Sequence, residues 1–415
     1  MAAVWRIESA RIVAVVARMV RDIGVAEELA QDALVSALEH WPRQGVPDNP
    51  GAWLTTAAKR RALDYLRLQR TAQTHHEGIA QDLQAQQALT VPDFVDALDA
   101  ARQDEIGDDL LRLIFTACHP VLSTEARLAL TLKLLGGLST AEIARAFLAS
   151  EPTVAQRIVR AKRTLSRAGL AFAVPRGPER AARLASVLEV IYLIFNEGYA
   201  ATAGPDLLRP ALCAEAMRLG RILAGLAPEE PEVLGLLALM ELQASRLPAR
   251  TGADGAAVPL PAQDRARWDR LLIGRGLAAL RRAEELGGAE GPYALQAALA
   301  ACHARAARAE DTDWAGIAAL YDRLRAVMPS PVVELNRAVA HSMAFGPRIG
   351  LKLLATLAGV PALRRYAPLP AARGDCLLRA GRPAEARIEF ERAAALAGNQ
   401  RERDFLHARA EACGG

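Results

Sequence analysis

The chain has 415 residues, of which 52% are hydrophobic and only 5% aromatic, with a formal net charge of +4. That length holds two or three domains, and a composition led by Ala, Leu and Arg favours packed helices over β-sheet. Five cysteines (118, 213, 302, 376 and 413) with no CxxC pair speak against a disulfide framework or a zinc module and suit a reducing cytosol. No apolar run reaches the length of a membrane span, and no charged-then-apolar leader opens the chain.

In chain order, residues 4–19 predict a helix with Ile7, Ile12, Val15, Val16 and Met19 on its apolar side, broken by Asp22-Ile23-Gly24. Residues 26–41 predict a second helix, with Leu29, Ala33, Leu34, Ala37 and Leu38 inward and Glu27, Glu28, Gln31, Asp32 and Glu39 outward. Such an acidic face is either simply solvated or suited to a basic partner surface. Residues 42–50 carry strong turn chemistry in Pro-Asp-Asn-Pro-Gly. The helix from 52 to 67 is basic: residues 51–70 have a net charge of +4, with Trp53 and Tyr65 among the cations. Cations beside aromatic rings can hold single-stranded DNA by phosphate attraction and base stacking. The alternative is that the two rings are core.

Residues 71–110 reverse the sign, to a net −8. The first half is rich in Gln and Thr and reads as a linker. It is either a solubilising spacer or an acidic tether able to lie in a positively charged protein channel. His75-His76-Glu77 falls in this polar stretch and is not expected to bind metal. Residues 109–135 predict two helices separated at 120–124, and Gly136-Gly137 leads on to the next motif.

Residues 138–167 predict two helices joined by a tight turn. Ser139 and Glu142 have capping-box spacing, and Ser150 caps the second helix ahead of Glu151 and Pro152. Ile143, Ala144 and Phe147, then Val154, Ile158 and Leu165, form the apolar side. Thr153, Gln156, Arg157, Arg160 and Arg163 fall largely opposite, and residues 139–170 have a net charge of +4. Short polar side chains near the helix start, with Arg and Lys beyond them, suit a DNA-recognition helix. An ordinary amphipathic helix pair with a solvated basic face is the competing reading.

Residues 180–412 predict a train of helices punctuated by Pro and Gly. Gly374, Gly381, Ala386, Phe390 and Ala393 follow a 34-residue helix-pair logic, echoed at Tyr321, Leu324 and Pro329, so a curved helical solenoid with few regular repeats is expected. Acids beside arginines in this part read as buried ion pairs holding helices in register, or else as a polar pocket for a ligand or peptide. Cys118-His119 and Cys302-His303 read as core. Residues 252–261 form a loop. The chain carries no Ser-His-Asp set, no Gly-rich phosphate loop and no metal-spaced cluster, so no enzyme activity, cofactor or metal is expected.

Taken together, these motifs resemble bacterial RNA polymerase sigma factors of the extracytoplasmic-function class, over residues 4–170. Ala26-Glu27-Glu28-Leu29-Ala30-Gln31-Asp32-Ala33-Leu34 with Trp41 resembles the region-two helix that docks on polymerase. Residues 52–67 resemble the helix that melts the promoter and reads its −10 element. Residues 138–163 resemble the region-four helix-turn-helix that reads the −35 element, with Pro152 where a Gly is common. The stretches at 190–199, 263–269, 291–293, 311–314 and 331–338 resemble the subgroup with a large tetratricopeptide-like extension, although Ala266 replaces a Ser.

The resemblance implies an all-α chain made of region two (1–70), an acidic linker (71–107), region four (108–172) and the extension (173–415). It implies polymerase contacts at Glu28, Gln31, Asp32 and Leu34. Contacts to the −10 element fall at Trp53, Lys59, Arg60, Arg61, Asp64 and Arg67, and those to the −35 element at Thr153, Gln156, Arg157, Arg160, Lys162 and Arg163. Asn196, Glu197, Tyr199, Asp264, Arg265, Trp268, Asp269, Glu334, Asn336 and Arg337 mark the extension motifs. Core RNA polymerase and promoter DNA are the implied partners, in the cytoplasm, with no membrane. The extension would regulate by folding onto the other regions or by binding a protein or small ligand. A helix-turn-helix regulator with the solenoid as a partner platform is the alternative.

Overall fold

The computed structural model describes residues 2–76, 109–147, 149–200, 208–252, 258–398 and 400–414. These residues are helical and contain no β-strand. Most of the expected acidic linker, and the centre of the expected loop at 252–261, lie outside them. The chain divides into two compact units, residues 1–190 and 191–415.

In the first unit, α1 (Ala2–Val20), α2 (Ile23–Gln44) and α3 (Pro50–His76) pack on one another. Ile12, Val16 and Ala17 of α1 meet Ala30, Ala33 and Ala37 of α2 and Leu54, Ala58 and Ala62 of α3, all of them buried. The i, i+4, i+8 spacing on α3 gives it a narrow apolar stripe.

Four expectations change here. Ile7 is 63% exposed and Leu38 51% exposed, so neither is core, whereas Glu27, expected outside, is buried. The helix α2 runs on through Pro42 to Gln44. The helix α3 continues to His76, so His75 and His76 are helical, not part of a linker.

Residues 109–117 form α4, which is followed by α5 (Thr124–Leu134), α6 (Thr140–Ala146) and α7 (Glu151–Arg167). The first half of α8 (Pro178–Tyr199) belongs to this unit. Arg183 donates to the Phe115 carbonyl at 2.9 Å, Ser186 to the Cys118 carbonyl at 2.6 Å, and Arg127 to Ser186 at 2.5 Å.

The second unit takes the rest of α8, then α9 (Pro210–Leu226), α10 (Pro231–Ala244), α11 (Arg270–Glu285), α12 (Pro292–Arg305), α13 (Trp314–Val327), α14 (Pro331–Phe345), α15 (Pro347–Ala355), α16 (Pro368–Arg379), α17 (Pro383–Leu396) and α18 (Gln400–Glu411). A proline in the first turn starts α9, α10, α12, α14, α15 and α17, where its missing N–H costs no hydrogen bond. Helices pack mainly on their sequence neighbours, as in a solenoid. Successive buried clusters carry the core along the chain, from Leu242, Trp268 and Leu280 to Leu299, Ile317 and Val333, and on to Leu377, Phe390 and Leu406. The expected small-residue crossing is present: a Cβ on Gly374 would lie 2.8 Å from the Phe390 ring.

Candidate nucleic-acid interface

The turn between α6 and α7 is built as its sequence requires. Ser139 Oγ accepts the Glu142 amide at 3.2 Å, and Glu142 Oε2 accepts the Ser139 amide at 2.8 Å, which completes a capping box. Ser150 Oγ accepts the Thr153 amide at 3.3 Å and caps α7. Val154, Ile158, Ala161 and Leu165 are buried. Thr153, Gln156, Arg160 and Arg163 are exposed on the other side, and Arg157 is half-buried. An open cleft of about 410 Å³ lies between the start of α5 and α7, lined by Ser123, Glu125, Thr153, Gln156, Arg157 and Arg160. Glu125 is held below the usual carboxylate range by hydrogen bonds from its own backbone N–H and from Ser123, with the Arg157 charge adding to them. The exposed face combines short polar groups with guanidinium groups and suits a polyanion.

Lys162 is placed differently from its neighbours. Its ammonium pairs with the buried carboxylate of Glu27 on α2, and Lys133 of α5 reaches the same carboxylate at 3.6 Å. The Lys162 side chain is only 20% exposed. The helix expected to read DNA is therefore joined to the helix expected to dock on polymerase. Residues 23, 26, 27, 30, 33, 37 and 41 form one helical stripe, so Glu27 falls on the apolar side of α2. That placement was readable in advance; the lysines that neutralise it, from two distant segments, were not. A second buried acid, Asp109 at the start of α4, pairs with Arg18 at 3.2 Å and with Arg112 at 2.6 Å.

On α2, Glu28, Gln31 and Asp32 are exposed and Leu34 is half-buried. Gln31 donates to Glu27 Oε1 at 2.9 Å. Arg61 of α3 donates to Ser36 at 2.6 Å and lies 3.6 Å from Asp32. These links hold the acidic face of α2 beside the basic face of α3. Arg60 is exposed and Lys59 half-buried, while Asp64 and Arg67 form an exposed pair at 3.2 Å. Trp53 is half-buried and meets the edge of Trp41, with ring centroids 5.6 Å apart. Tyr65 is half-buried, and its hydroxyl accepts Gln69 Nε2 at 2.6 Å.

In the second unit, the extension motifs mostly cap and tie helices. Asp264 accepts the Ala266 amide at 2.9 Å and Asp269 the Leu272 amide at 3.0 Å. Both are exposed caps, which corrects the expected buried ion pairs there. Arg265 donates to the carbonyls of His303 at 2.5 Å and Ala306 at 2.7 Å, and stacks 4.8 Å from the buried Trp268 ring. Glu197 pairs with Arg209. The Tyr199 hydroxyl accepts Arg246 at 2.6 Å, and Arg250 lies 3.8 Å over the Tyr199 ring. Ion pairs between helices do occur around α13 and α14: Glu334 with Arg325 at 2.6 Å, and Arg337 with Asp322 at 2.5 Å. Asn196 and Asn336 are exposed. Arg246 and Arg250 stand just beyond the end of α10, outside every motif, and carry no periodic signal.

Among the described residues no helix is long and apolar enough to cross a membrane, and no group of His, Cys, Asp and Glu could hold a metal ion. Residues 6–71 match the family model Sigma-70 region 2, and residues 112–165 match Sigma-70, region 4. Residues 183–284 match a family of unknown function, DUF6596. An uncharacterized protein of Rhizobium meliloti is 44% identical over 390 residues, covering 94% of this chain and 90% of the relative. The Probable ECF RNA polymerase sigma factor SigI of Mycobacterium tuberculosis is 28% identical over 178 residues, covering 43% of this chain and 58% of the relative. The crystal structure of yeast Tom70 aligns over 94% of this chain and 80% of its own at 12% identity, with a TM-score of 0.37. That likeness is too distant to bear on fold or function.

Proposed function

The chain belongs to the sigma-70 factors of the extracytoplasmic-function class, in a family shared with the Rhizobium protein, and from that premise we propose that it directs core RNA polymerase to a chosen set of promoters under control of its helical extension. The exposed row of Thr153, Gln156, Arg160 and Arg163 on a capped, well-packed α7 carries this reading. Arg60, Arg67 and the Trp53 ring on α3 form the second DNA contact, and Glu28 and Asp32 on α2 form the polymerase contact. The factor acts where polymerase and chromosome are, in the cytoplasm.

The joint at Glu27 adds a requirement. Elements at −10 and −35 lie about 25 base pairs apart, or about 85 Å at 3.4 Å per step. An α7 held against α2 by Lys162 and Glu27 cannot reach one element while α3 holds the other. Binding to polymerase therefore has to break this joint and draw the two regions apart.

Run-off transcription with purified core polymerase tests the reading. The full chain should yield a promoter-specific transcript that core polymerase alone does not. Absence of that transcript, with DNA binding retained, would favour a helix-turn-helix regulator. Shortening the chain after Ala200, which keeps the half of α8 that packs on α4 and α5, should alter the yield; an unchanged yield removes the regulatory role of the extension.

A further inference from the structure

The second unit contains a cleft that the transcription reading does not use. It has a volume of about 430 Å³ and lies among the ends of α8 and α10 and the faces of α12, α13 and α14. Its walls are apolar: Leu299, Ile317, Leu324, Val333 and Val339, with the rings of Tyr192, Trp314 and Tyr321. The volume is that of a small-molecule site, not of a packing defect.

The polar groups in the cleft share one character. No aspartate or glutamate lines it, and Arg246 is its single fixed charge. His303, the other basic group there, is pushed down to about 4 by burial, with the Arg246 and Arg265 charges adding to the effect, so it is neutral near pH 7. Its Nδ1 is buried without a hydrogen-bond partner. Arg246 is positioned by the Tyr199 hydroxyl at 2.6 Å and by the Tyr199 and Trp268 rings at 5.8 and 5.9 Å. No carboxylate pairs with it among the described residues, and most of its five donors remain unused. The polar ends of Gln243, Tyr192, Tyr321 and Asn336 also make no hydrogen bond among the described residues. A group held in place by rings and a phenol, facing an apolar cleft without acids, is arranged for a monoanion with an apolar body. A bidentate guanidinium–carboxylate contact supplies the orientation.

We propose that this cleft is a binding site for an apolar carboxylic acid, whose carboxylate pairs with Arg246 and whose body lies between Tyr192, Trp314 and Tyr321. Several motif residues thereby acquire a shared purpose. Tyr199 and Trp268 set the guanidinium, Arg265 ties the end of α12 beside it, and Trp314 and Asn336 line the site. The site would be the extension's sensor, and its existence does not depend on the transcription reading.

The test uses the full chain and three ten-carbon probes: decanoate, decanol and decylamine. Tryptophan fluorescence and thermal melting report binding, and Trp314→Phe identifies the signal from the cleft. Decanoate should bind saturably below its micellar concentration and raise the melting temperature. Decanol should bind at least about tenfold more weakly, for want of the charge-assisted pair, and decylamine should not bind. Arg246→Gln should bring decanoate down to the level of decanol, and Ala300→Phe, which fills the cleft, should abolish both. Should Arg246→Gln fail to fold, the ranking of the three probes on the unmodified chain still decides. Equal binding of decanoate and decanol, a decanoate response that survives Arg246→Gln, or no saturable binding at all overturns the proposal. An apolar peptide with an amidated C-terminus that changes the Trp314 signal saturably while decanoate does not would overturn the proposal and assign the cleft to a protein partner.

Discussion

Glu27 in the first unit and Glu232 in the second each join helices from distant parts of the sequence, with different partners. Glu27 is neutralised by two lysines, Lys162 of α7 and Lys133 of α5. Glu232 at the start of α10 meets no cation among the described residues; it accepts the backbone N–H groups of Tyr293 at 2.9 Å and Ala294 at 3.2 Å, at the start of α12. Burial raises its pKa, and those two N–H groups oppose the rise. The Tyr293 and Ala294 N–H groups lie in the first turn of α12, where no carbonyl of the same helix can accept them, so Glu232 caps α12 from a neighbouring helix. Lysine side chains can exchange one anion for another, and one of these lysines lies on α7, the helix proposed to read DNA. The contrast is between a joint made by charge pairing and one made by helix capping.

The largest expected effect tests the crossing beside the Glu232 joint. Gly235, one turn beyond Glu232, lets α10 approach α12 so closely that a Cβ would lie 2.7 Å from the Ala294 nitrogen. Gly235→Val should cost about 3 kcal/mol through overpacking, read as a fall in the thermal transition of the extension. A neutral result would mean that the crossing is loose. Next comes the joint at Glu27. Glu27→Ala leaves Lys162 and Lys133 facing a buried space and should destabilise the first unit by about 2 kcal/mol, less than a fully buried pair because both lysines reach solvent. A double-mutant cycle with Lys162→Met should show coupling; additive losses would dissolve the joint.

A smaller effect separates the two faces of α7. Arg160→Ala should weaken promoter binding by about 1 kcal/mol and lower the salt slope by about one, with polymerase binding intact. Equal loss of both would put the reading face elsewhere.

The smallest effect is electrostatic. A carboxyl whose folded pKa is raised contributes stability that is full below its unfolded value and is lost as pH rises through the folded value. Melts between pH 7 and pH 4.5 should therefore show the unmodified chain gaining on Glu232→Gln as pH falls. The other carboxyl in this unit raised by burial, Glu402, is common to both proteins and cancels. Parallel curves would mean that Glu232 is fully solvated.

Much of the interface was legible because it is local. The capping box at Ser139 and Glu142, the Ser150 cap and the apolar stripe of α7 are all i to i+4 relations, and each is present. Exposure was harder to read. Leu38 and Ile7 are apolar yet exposed, whereas the small Ala33 and Ala37 of α2 are fully buried. In the extension, charge beside charge suggested ion pairs. Yet Asp264 and Asp269 cap the turns that follow them, since a short acid finds the next free N–H before it finds a distant guanidinium.

By itself, the sequence determined that the chain is helical and where the caps at Ser139 and Ser150 fall, because these depend on spacing within a few residues, and its motifs carried the resemblance to sigma-70 regions two and four. Only the tertiary structure decided that Lys162 faces Glu27 and not solvent, and that Arg246, outside every motif, stands alone in a cleft lined by them. Both outcomes depend on which distant helices pack together, and a residue's charge partner is set by that packing and not by its neighbours in the chain.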